Sequence, residues 1–188
     1  MRLTGGEGRG RRLSGPGTAR VRPTADRVRE ALFAIAGGRV SGAAFLDAFA
    51  GTGAVGVEAL SRGAARAVFL ERDPRMLRLI ARNLGVGEWP GVPEVIPGEV
   101  ERSFGILSAR GERFGIIFLD PPYDQPAGPD LLAAAARLLR PEGLLIVEHA
   151  VRRPVEPLPG ALLASLRAYR YGDTGLATYI LGAHRPER

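Results

Sequence analysis

The hydrophobic positions of this chain fall into short, solidly apolar segments that alternate with amphipathic ones. The apolar segments predict buried strands at residues 43–49, 66–71, 93–97, 114–120 and 142–149. The amphipathic segments between them predict helices at residues 54–63, 74–85, 99–109 and 129–140. Strands that are apolar on both faces and separated by helices indicate a parallel sheet covered on both sides.

The last part of the chain breaks this rhythm. Residues 165–173 and 176–183 predict two strands joined by a turn over residues 172–175, which would close the sheet with an antiparallel hairpin. The expected fold is therefore α/β, with a doubly wound, mostly parallel, seven-stranded Rossmann-like sheet and a C-terminal antiparallel hairpin. Residues 23–188 would form this one domain.

Residues 1–22 are rich in glycine and arginine and predict a basic arm or small hairpin outside the core. All 26 basic residues of the chain are arginine, and residues 1–30 carry +5 of the formal charge of +6. A basic segment on a nearly neutral body favours a nucleic-acid partner, although a solubilising tail has the same composition. After it, Pro23 and Thr24 predict the start of a helix, with Thr24 as its cap.

The rest of the composition excludes several classes of protein. The chain has no cysteine, which excludes disulfides and thiolate metal sites, and its two histidines lie far apart, so we expect no metal. No apolar run is long enough for a membrane helix, and the N-terminus lacks the apolar segment of a secretory signal. We therefore expect a cytoplasmic protein without a membrane partner. No interface pattern stands out in the sequence, so we also expect a monomer.

Three glycines follow the first predicted strand, at Gly51, Gly53 and Gly56, and Glu71 ends the second strand. Glycines allow a tight strand-to-helix turn in which the backbone approaches a ligand closely. The spacing is that of the dinucleotide fingerprint G-x-G-x-x-G, in which a following acid accepts ribose hydroxyl protons. The loop therefore predicts a nucleotide-type cofactor, and NAD is one candidate.

Asp47, which lies in the first strand just before the glycines, changes the balance among cofactors. A carboxylate so close to the ligand tends to repel a pyrophosphate but attracts a cation. S-adenosylmethionine has no phosphate and carries an ammonium and a sulfonium group. Asp47 together with Glu71 therefore favours S-adenosylmethionine over NAD, although a glycine-rich turn can also be ordinary tight packing.

The fourth predicted strand runs into the segment Asp120-Pro121-Pro122-Tyr123. Each proline fixes φ and removes an N–H, and the residue before a proline is pushed toward an extended conformation. The segment thus offers carboxylate and carbonyl oxygens but few donors, and Tyr123 offers a flat face on which a base can stack. It suits a ligand group that only donates hydrogen bonds, such as an exocyclic amine; an ordinary strand-ending turn is the alternative.

The chemistry that follows is methyl transfer to an aromatic amine, whose lone pair is delocalised into its ring. The Asp120 carboxylate and the Pro121 carbonyl can each accept one amine hydrogen, which turns the lone pair toward a sulfonium methyl group. Positioning and electrostatics, rather than a strong base, would supply the catalysis. Adjacent strand ends of a doubly wound sheet open into one crevice, so we expect this segment beside the glycine loop.

Three blocks of the sequence resemble the family of 16S ribosomal RNA guanine-N2 methyltransferases, which are class I enzymes that use S-adenosylmethionine. They are GEGRGRRL and RPTADRVREALF (residues 6–13 and 22–33), LDAFAGTGAVGVEALSRGA (46–64) and FLDPPY (118–123). The likeness covers nearly the whole chain in the same order. The Asp-Pro-Pro-Tyr motif alone is shared with DNA adenine methylases, whereas RPTADRVREALF is much more specific to the ribosomal RNA group.

The resemblance implies a role for each matching position. The residues that would contact the cofactor are Asp47, Gly51, Gly53 and Glu71, and those that would edge its adenine are Glu99 and Val100. Glu99 departs from the Asp or Asn that amine-directed methyltransferases usually carry. A guanine flipped out of the RNA would be held by Asp120, Pro121, Pro122 and Tyr123. RNA or the mouth of the active site would be faced by Arg9, Arg11, Arg12, Arg22, Thr24, Arg27 and Arg29.

The leading hypothesis is a methyltransferase that acts on ribosomal RNA, with a partly assembled small subunit as a plausible substrate. A DNA adenine-N6 methyltransferase is an alternative, but 188 residues leave no room for a separate target-recognition domain. A second alternative is an RNA-binding assembly factor that keeps the fold without turnover. A nicotinamide-dependent dehydrogenase is the weakest, because nothing in the chain supplies a hydride-transfer acid or a substrate domain.

Overall fold

The computed structural model describes residues 1–16, 23–122, 124–155 and 163–181, with the side chains of all of these except residues 23–25, 165 and 166. The helices are α1 (Pro23–Ala36), α2 (Ala54–Ser61), α3 (Pro74–Leu84), α4 (Val100–Ala109) and α5 (Pro129–Leu138). The strands are β1 (Ala44–Ala48), β2 (Arg66–Glu71), β3 (Val92–Pro97), β4 (Phe114–Leu119), β5 (Leu139–Ala150), β6 (Leu163–Tyr171) and β7 (Thr174–Leu181). A short 3₁₀ turn, Gly37–Arg39, follows α1.

The seven strands form one sheet in the order β3-β2-β1-β4-β5-β7-β6. Strands β1 to β5 pair in parallel, and β7 pairs antiparallel with both β5 and β6. The predicted α/β fold and its C-terminal antiparallel hairpin are therefore confirmed. The strand order reverses between β1 and β4, and in such sheets ligands bind at this point, outside the carboxyl ends of the strands.

Helices cover both faces of the sheet, as solidly apolar strands require. On one face, α4 and α5 pack Phe104, Leu107 and Leu132 against the sheet. On the other face, α1 packs against α2, and α2 packs against α3. Leu32 of α1 is completely buried there. The middle of the sheet is thus enclosed, and its carboxyl edge is left as the place for polar side chains.

Several element boundaries differ from the sequence prediction. Helix α1 begins at Pro23, so Thr24 lies in its first turn and not at the cap position. Strand β5 begins at Leu139, directly after α5, because Leu139 pairs with Phe114 before a bulge in the strand. The turn between β6 and β7 contains only two residues, 172–173, since Thr174 already pairs with Tyr171.

The N-terminal residues form a small hairpin that packs on α2 and α3. Arg2 and Arg12 form an antiparallel bridge, and Leu3 and Leu13 are buried in one cluster with side chains of α2 and α3. The prediction that this segment lies outside the core is wrong for these two leucines. Two apolar residues ten positions apart are too sparse a pattern to reveal a buried face, because the residues between them are polar or glycine.

Candidate active site

The carboxyl ends of β1, β4 and β5 lie side by side and set the positions of the candidate residues. Ala48 of β1 pairs with Leu119, and Leu119 pairs with Val147 of β5. Asp120 follows Leu119, and its backbone N–H donates to the Ala48 carbonyl at 3.4 Å. The Asp-Pro-Pro segment therefore lies next to the turn that follows β1, as predicted from the doubly wound topology.

The turn after β1 is shaped by left-handed backbone conformations. Phe49 has φ of 65°, which is uncommon for a residue with a side chain, and Gly53 has φ of 74° at the start of α2. Gly56 has another role, because a Cβ there would lie 2.2 Å from the Phe69 ring. The glycines thus allow α2 to lie close against β2 directly after the turn.

Glu71 connects the end of β2 to this turn. Its Oε2 accepts a hydrogen bond from the Gly51 N–H at 2.7 Å, and its Oε1 accepts from the N–H groups of Arg72 and Asp73 at 2.8 Å. Bonds to a carboxylate are stronger than bonds between neutral groups. Three backbone donors therefore fix the orientation of this side chain at the mouth of the site.

Asp47 is held in a similar way, but inside the protein. It is 1% exposed, and its Oδ2 accepts from the Gly56 N–H in the first turn of α2 at 2.8 Å. Burial raises the pKa of Asp47 well above its usual value, the bond from Gly56 opposes this, and the nearby carboxylates of Asp120 and Glu71 raise it further. Asp47 therefore binds the first turn of α2 and adds a further carboxyl group to the site.

Two cavities open at this edge of the sheet. The first, called the Glu71 cavity, has a volume of about 340 Å³ and is lined by residues that include Glu71, Gly98, Glu99 and Val100. The second, called the Asp47 cavity, has a volume of about 200 Å³ and is lined by residues that include Arg29, Asp47, Gly51 and Thr52. Three side chains line both cavities: Phe49, Asp120 and Glu148. Asp120 thus lies at the junction of the two spaces.

The predicted adenine-edging residues lie on the wall of the Glu71 cavity. Val100 begins α4 and is buried. Glu99 is exposed, and its carboxylate pairs with the Arg72 guanidinium at 3.1 and 3.2 Å. The side chain is therefore directed toward Arg72 at the rim of the cavity, and Val100 offers the apolar surface.

Asp120 is exposed to the cavities yet crowded by protein atoms. This burial of the carboxyl group raises the pKa of Asp120 to about 6. After it, Pro121 is buried and Pro122 is exposed. The Pro122 carbonyl accepts from the Gln125 N–H at 2.9 Å, and no described N–H group is bonded to the Pro121 carbonyl. The segment thus keeps its acceptors available, and Tyr123 lies outside the described residues.

The arginines predicted to bind RNA have different surroundings. Arg9, Arg12 and Arg27 are exposed, and Arg11 donates to the Val86 carbonyl at 3.0 Å and lies over the Trp89 ring. Arg29 is only 4% exposed and lines the Asp47 cavity. Arg22 and the side chain of Thr24 lie outside the part of the chain that the structure describes.

Within the described ranges, no three or more His, Asp or Glu side chains are grouped so that they could hold a metal ion. None of the described helices is long and apolar enough to cross a membrane.

Comparison with known proteins assigns the chain to a family. Residues 1–180 match the family described as "Conserved hypothetical protein 95". The chain belongs to this family. Its relatives include "Putative rRNA methyltransferase YlbH" of Bacillus subtilis, which is 36% identical over 95% of this chain and 98% of the relative. "Ribosomal RNA small subunit methyltransferase D" of Escherichia coli is 35% identical over 85% of this chain and 79% of the relative.

A solved structure agrees with this membership. "Putative methyltransferase yhhF" from Escherichia coli superimposes with a TM-score of 0.82 at 32% identity, covering 98% of this chain and 99% of the other. The Rossmann-like methyltransferase fold and the resemblance to the ribosomal RNA methyltransferases are therefore confirmed.

The sequence reasoning missed three features of the site. Glu148 lines both cavities, but in the sequence it is one polar residue at the end of an apolar strand. Phe49 takes up its left-handed conformation without any glycine signal. The completely buried Glu58 forms ion pairs with Arg29 and Arg62, each at 2.7 Å, and also accepts from the Thr4 hydroxyl. The sequence signal that could have revealed this ion pair was a glutamate on the apolar face of α2, because a buried carboxylate requires a basic partner.

Proposed function

We propose that this protein transfers the methyl group of S-adenosylmethionine to the exocyclic N2 amine of a guanine in 16S ribosomal RNA. The proposal rests on the position of Asp120 at the junction of the Glu71 and Asp47 cavities, with Pro121 beside it in the wall of the Glu71 cavity. Membership of a family with relatives named as ribosomal RNA methyltransferases supports RNA as the substrate class.

The cofactor-binding part is formed by the turn after β1 and the ends of β2 and β3. S-adenosylmethionine, when bound, supplies an electrophilic methyl group and a positive charge. Glu71 is fixed by three backbone donors, so its remaining lone pairs can accept hydrogen bonds from ribose hydroxyls. Val100 provides an apolar surface for adenine beside Glu99, and the Asp47 cavity, with Gly51 and Gly53 in its turn, accommodates the cationic amino-acid end.

The amine-binding part is formed by Asp120 and Pro121. The Asp120 carboxylate and the Pro121 carbonyl accept the two amine hydrogens, and this aligns the nitrogen lone pair with the methyl group for in-line displacement. The nitrogen becomes acidic as it is methylated, so no strong base is required. Pro122 stiffens the segment, and Tyr123 supplies the ring on which the flipped guanine stacks.

The exposed arginines of the N-terminal hairpin and of α1 supply the RNA-binding surface. Arg9, Arg11 and Arg12 lie on the hairpin, and Arg27 lies on α1. Arg22 and Thr24 are proposed to contribute to the same surface. Arg29 acts differently, because its buried ion pair with Glu58 fixes α1 to α2 and its hydrogen bond to the Arg2 carbonyl fixes the hairpin beside the Asp47 cavity. The enzyme acts as a monomer in the cytoplasm, and its substrate is RNA within a small-subunit assembly particle.

Methyl transfer from radiolabelled S-adenosylmethionine tests this function. The acceptors are unmethylated naked 16S RNA, small ribosomal subunits lacking the modification, and duplex DNA, followed by nuclease mapping of the labelled base. Label on a guanine of the RNA is expected, with more label in the particle than in naked RNA. Label on DNA adenine, or no label although calorimetry shows cofactor binding, would contradict the proposal.

A further inference from the structure

Glu148 is a second carboxylate in the crevice, and the transfer reaction described above leaves it without a role. It follows Val147 of β5, which pairs with Leu119 of β4, and Asp120 follows Leu119. Neighbouring strands lie about 4.8 Å apart, and corresponding positions on paired strands direct their side chains to the same face of the sheet. The register therefore places Glu148 and Asp120 side by side.

Both carboxylates border the same two cavities and are short of partners. Among the described residues, none donates a hydrogen bond to the side chain of Glu148 or of Asp120. Burial, together with the charge of Asp120, raises the pKa of Glu148 to about 8. Two adjacent carboxylates in such a place are stabilised by a ligand that presents two adjacent donors.

The charged groups around the crevice do not supply those donors. A third, much smaller pocket also borders Glu148 and is lined by residues that include Pro121 and Pro126. Besides Glu148, the charged or titratable groups that line the two cavities or this pocket are the Met1 amino end, Arg29, Asp47, Glu71, Arg72, Glu99, Glu101, Asp120, His149 and Arg153. Arg29 is paired with Glu58 and Asp26, and Arg72 with Glu99. Asp47, which lies close enough to Asp120 for the two carboxyl groups to interact electrostatically, is a further acid and not a donor, so the crevice favours donors on the incoming base.

The purine bases differ at the edge that the pair would meet. Guanine presents N1–H next to its N2 amine, which makes two adjacent donors, whereas adenine presents a bare N1 next to its N6 amine. We infer that Glu148 determines base specificity, its carboxylate accepting the guanine N1–H while Asp120 holds the N2 amine. The inference rests on the proposed function. It gives a reason for choosing guanine, because the N1 lone pair of adenine would face a carboxylate.

The test compares guanine with 2-aminopurine, which keeps the N2 amine but has no N1–H. The guanine mapped by the labelling experiment is replaced by 2-aminopurine through ligation of a synthetic fragment into 16S RNA, and the RNA is assembled with small-subunit proteins. The assay is run at about pH 8.5, because Glu148 is mainly a carboxylate above its pKa of about 8. There we expect the wild-type enzyme to methylate guanine with a kcat/KM about tenfold to a hundredfold above that for 2-aminopurine. In Glu148→Gln this ratio should fall by about tenfold or more, because the amide can donate to N1.

Two controls keep the inference distinct from the proposed function and from misfolding. Calorimetric cofactor affinity should be unchanged in Glu148→Gln, and Glu148→Asp, which keeps the carboxylate, should keep the preference for guanine. An unchanged ratio in Glu148→Gln, with guanine N2 still labelled, would overturn the role of Glu148 alone. Equal losses on both bases would also overturn it. A wild-type enzyme that labels no guanine would overturn the proposed function and this inference with it.

Discussion

The two halves of the crevice use carboxylates in opposite ways. In the half formed by β1 and β2, Glu71 and Asp47 accept hydrogen bonds from backbone N–H groups of the turn and of α2. In the half formed by β4 and β5, Asp120 and Glu148 accept none from the described residues, and their pKa values are raised to about 6 and about 8. The first half is ordered by its own backbone, whereas the acceptors of the second half have no partner among the described residues.

This difference suggests a division of labour. A site that must bind the same cofactor at each turnover benefits from side chains fixed in advance, because little ordering entropy is then lost on binding. A site that must hold a reacting amine benefits from acceptors that are satisfied only when the correct base enters. Variants in the two halves should therefore affect different measurements.

The largest effect is expected from Asp120→Asn. An amide in place of the carboxylate can direct a donor at the amine, so we expect methyl transfer to fall about 10²–10³-fold, as is typical for losing one preorganised electrostatic contact. Cofactor affinity measured by calorimetry should change less than about twofold. Asp124→Asn, in the exposed loop that follows, is the matched control and should keep wild-type turnover. Wild-type turnover by Asp120→Asn would contradict the assignment of the amine-binding role to the half formed by β4 and β5.

The converse variant is Glu71→Gln. It weakens the acceptor for the Gly51 N–H and for the ribose hydroxyls, so cofactor affinity should fall about tenfold to a hundredfold. With saturating cofactor, turnover should return to near the wild-type value. Glu88→Gln, which lies outside both cavities, serves as the control. Unchanged affinity in Glu71→Gln by calorimetry would refute the ribose contact.

The pH dependence sharpens the same comparison. Asp120 must be ionised to accept from the amine, and since its pKa is raised to about 6, activity should be lost as the pH falls through that value. The profile is clearest in Glu148→Gln, which lacks the group whose pKa is about 8. There we expect kcat/KM to be level above about pH 7 and to fall about tenfold per pH unit below about 6. A flat profile down to pH 5 would show that the Asp120 charge is not used.

The smallest effect concerns the RNA-binding surface. Arg9 and Arg12 are exposed on the hairpin, so their joint replacement by glutamine should lower the slope of log affinity for RNA against log salt by about 1 per arginine. Arg113→Gln, at the amino end of β4 and away from the crevice, should leave the slope unchanged. An unchanged slope in the hairpin variant would mean that these arginines do not contact phosphate.

The sequence allowed much of this architecture to be predicted, because strands apolar on both faces and glycine-bounded helices are local signals. It also placed the Asp120 segment beside the glycine loop, since the ends of adjacent strands in a doubly wound sheet open into one crevice. Glu148 could not be found in this way, because its meaning depends on the register between β4 and β5. The packing of Leu3 and Leu13 onto α2 and α3 is likewise a tertiary contact with no periodic pattern.

The most direct test of the central claim is the nucleoside composition of RNA after reaction with wild-type enzyme and with Asp120→Asn, both saturated with cofactor. Small-subunit particles lacking the modification are the substrate, and the digested nucleosides are identified by mass spectrometry. The account predicts N2-methylguanosine from the wild-type enzyme and almost none from the variant. N6-methyladenosine as the product, or equal N2-methylguanosine from both proteins, would contradict it.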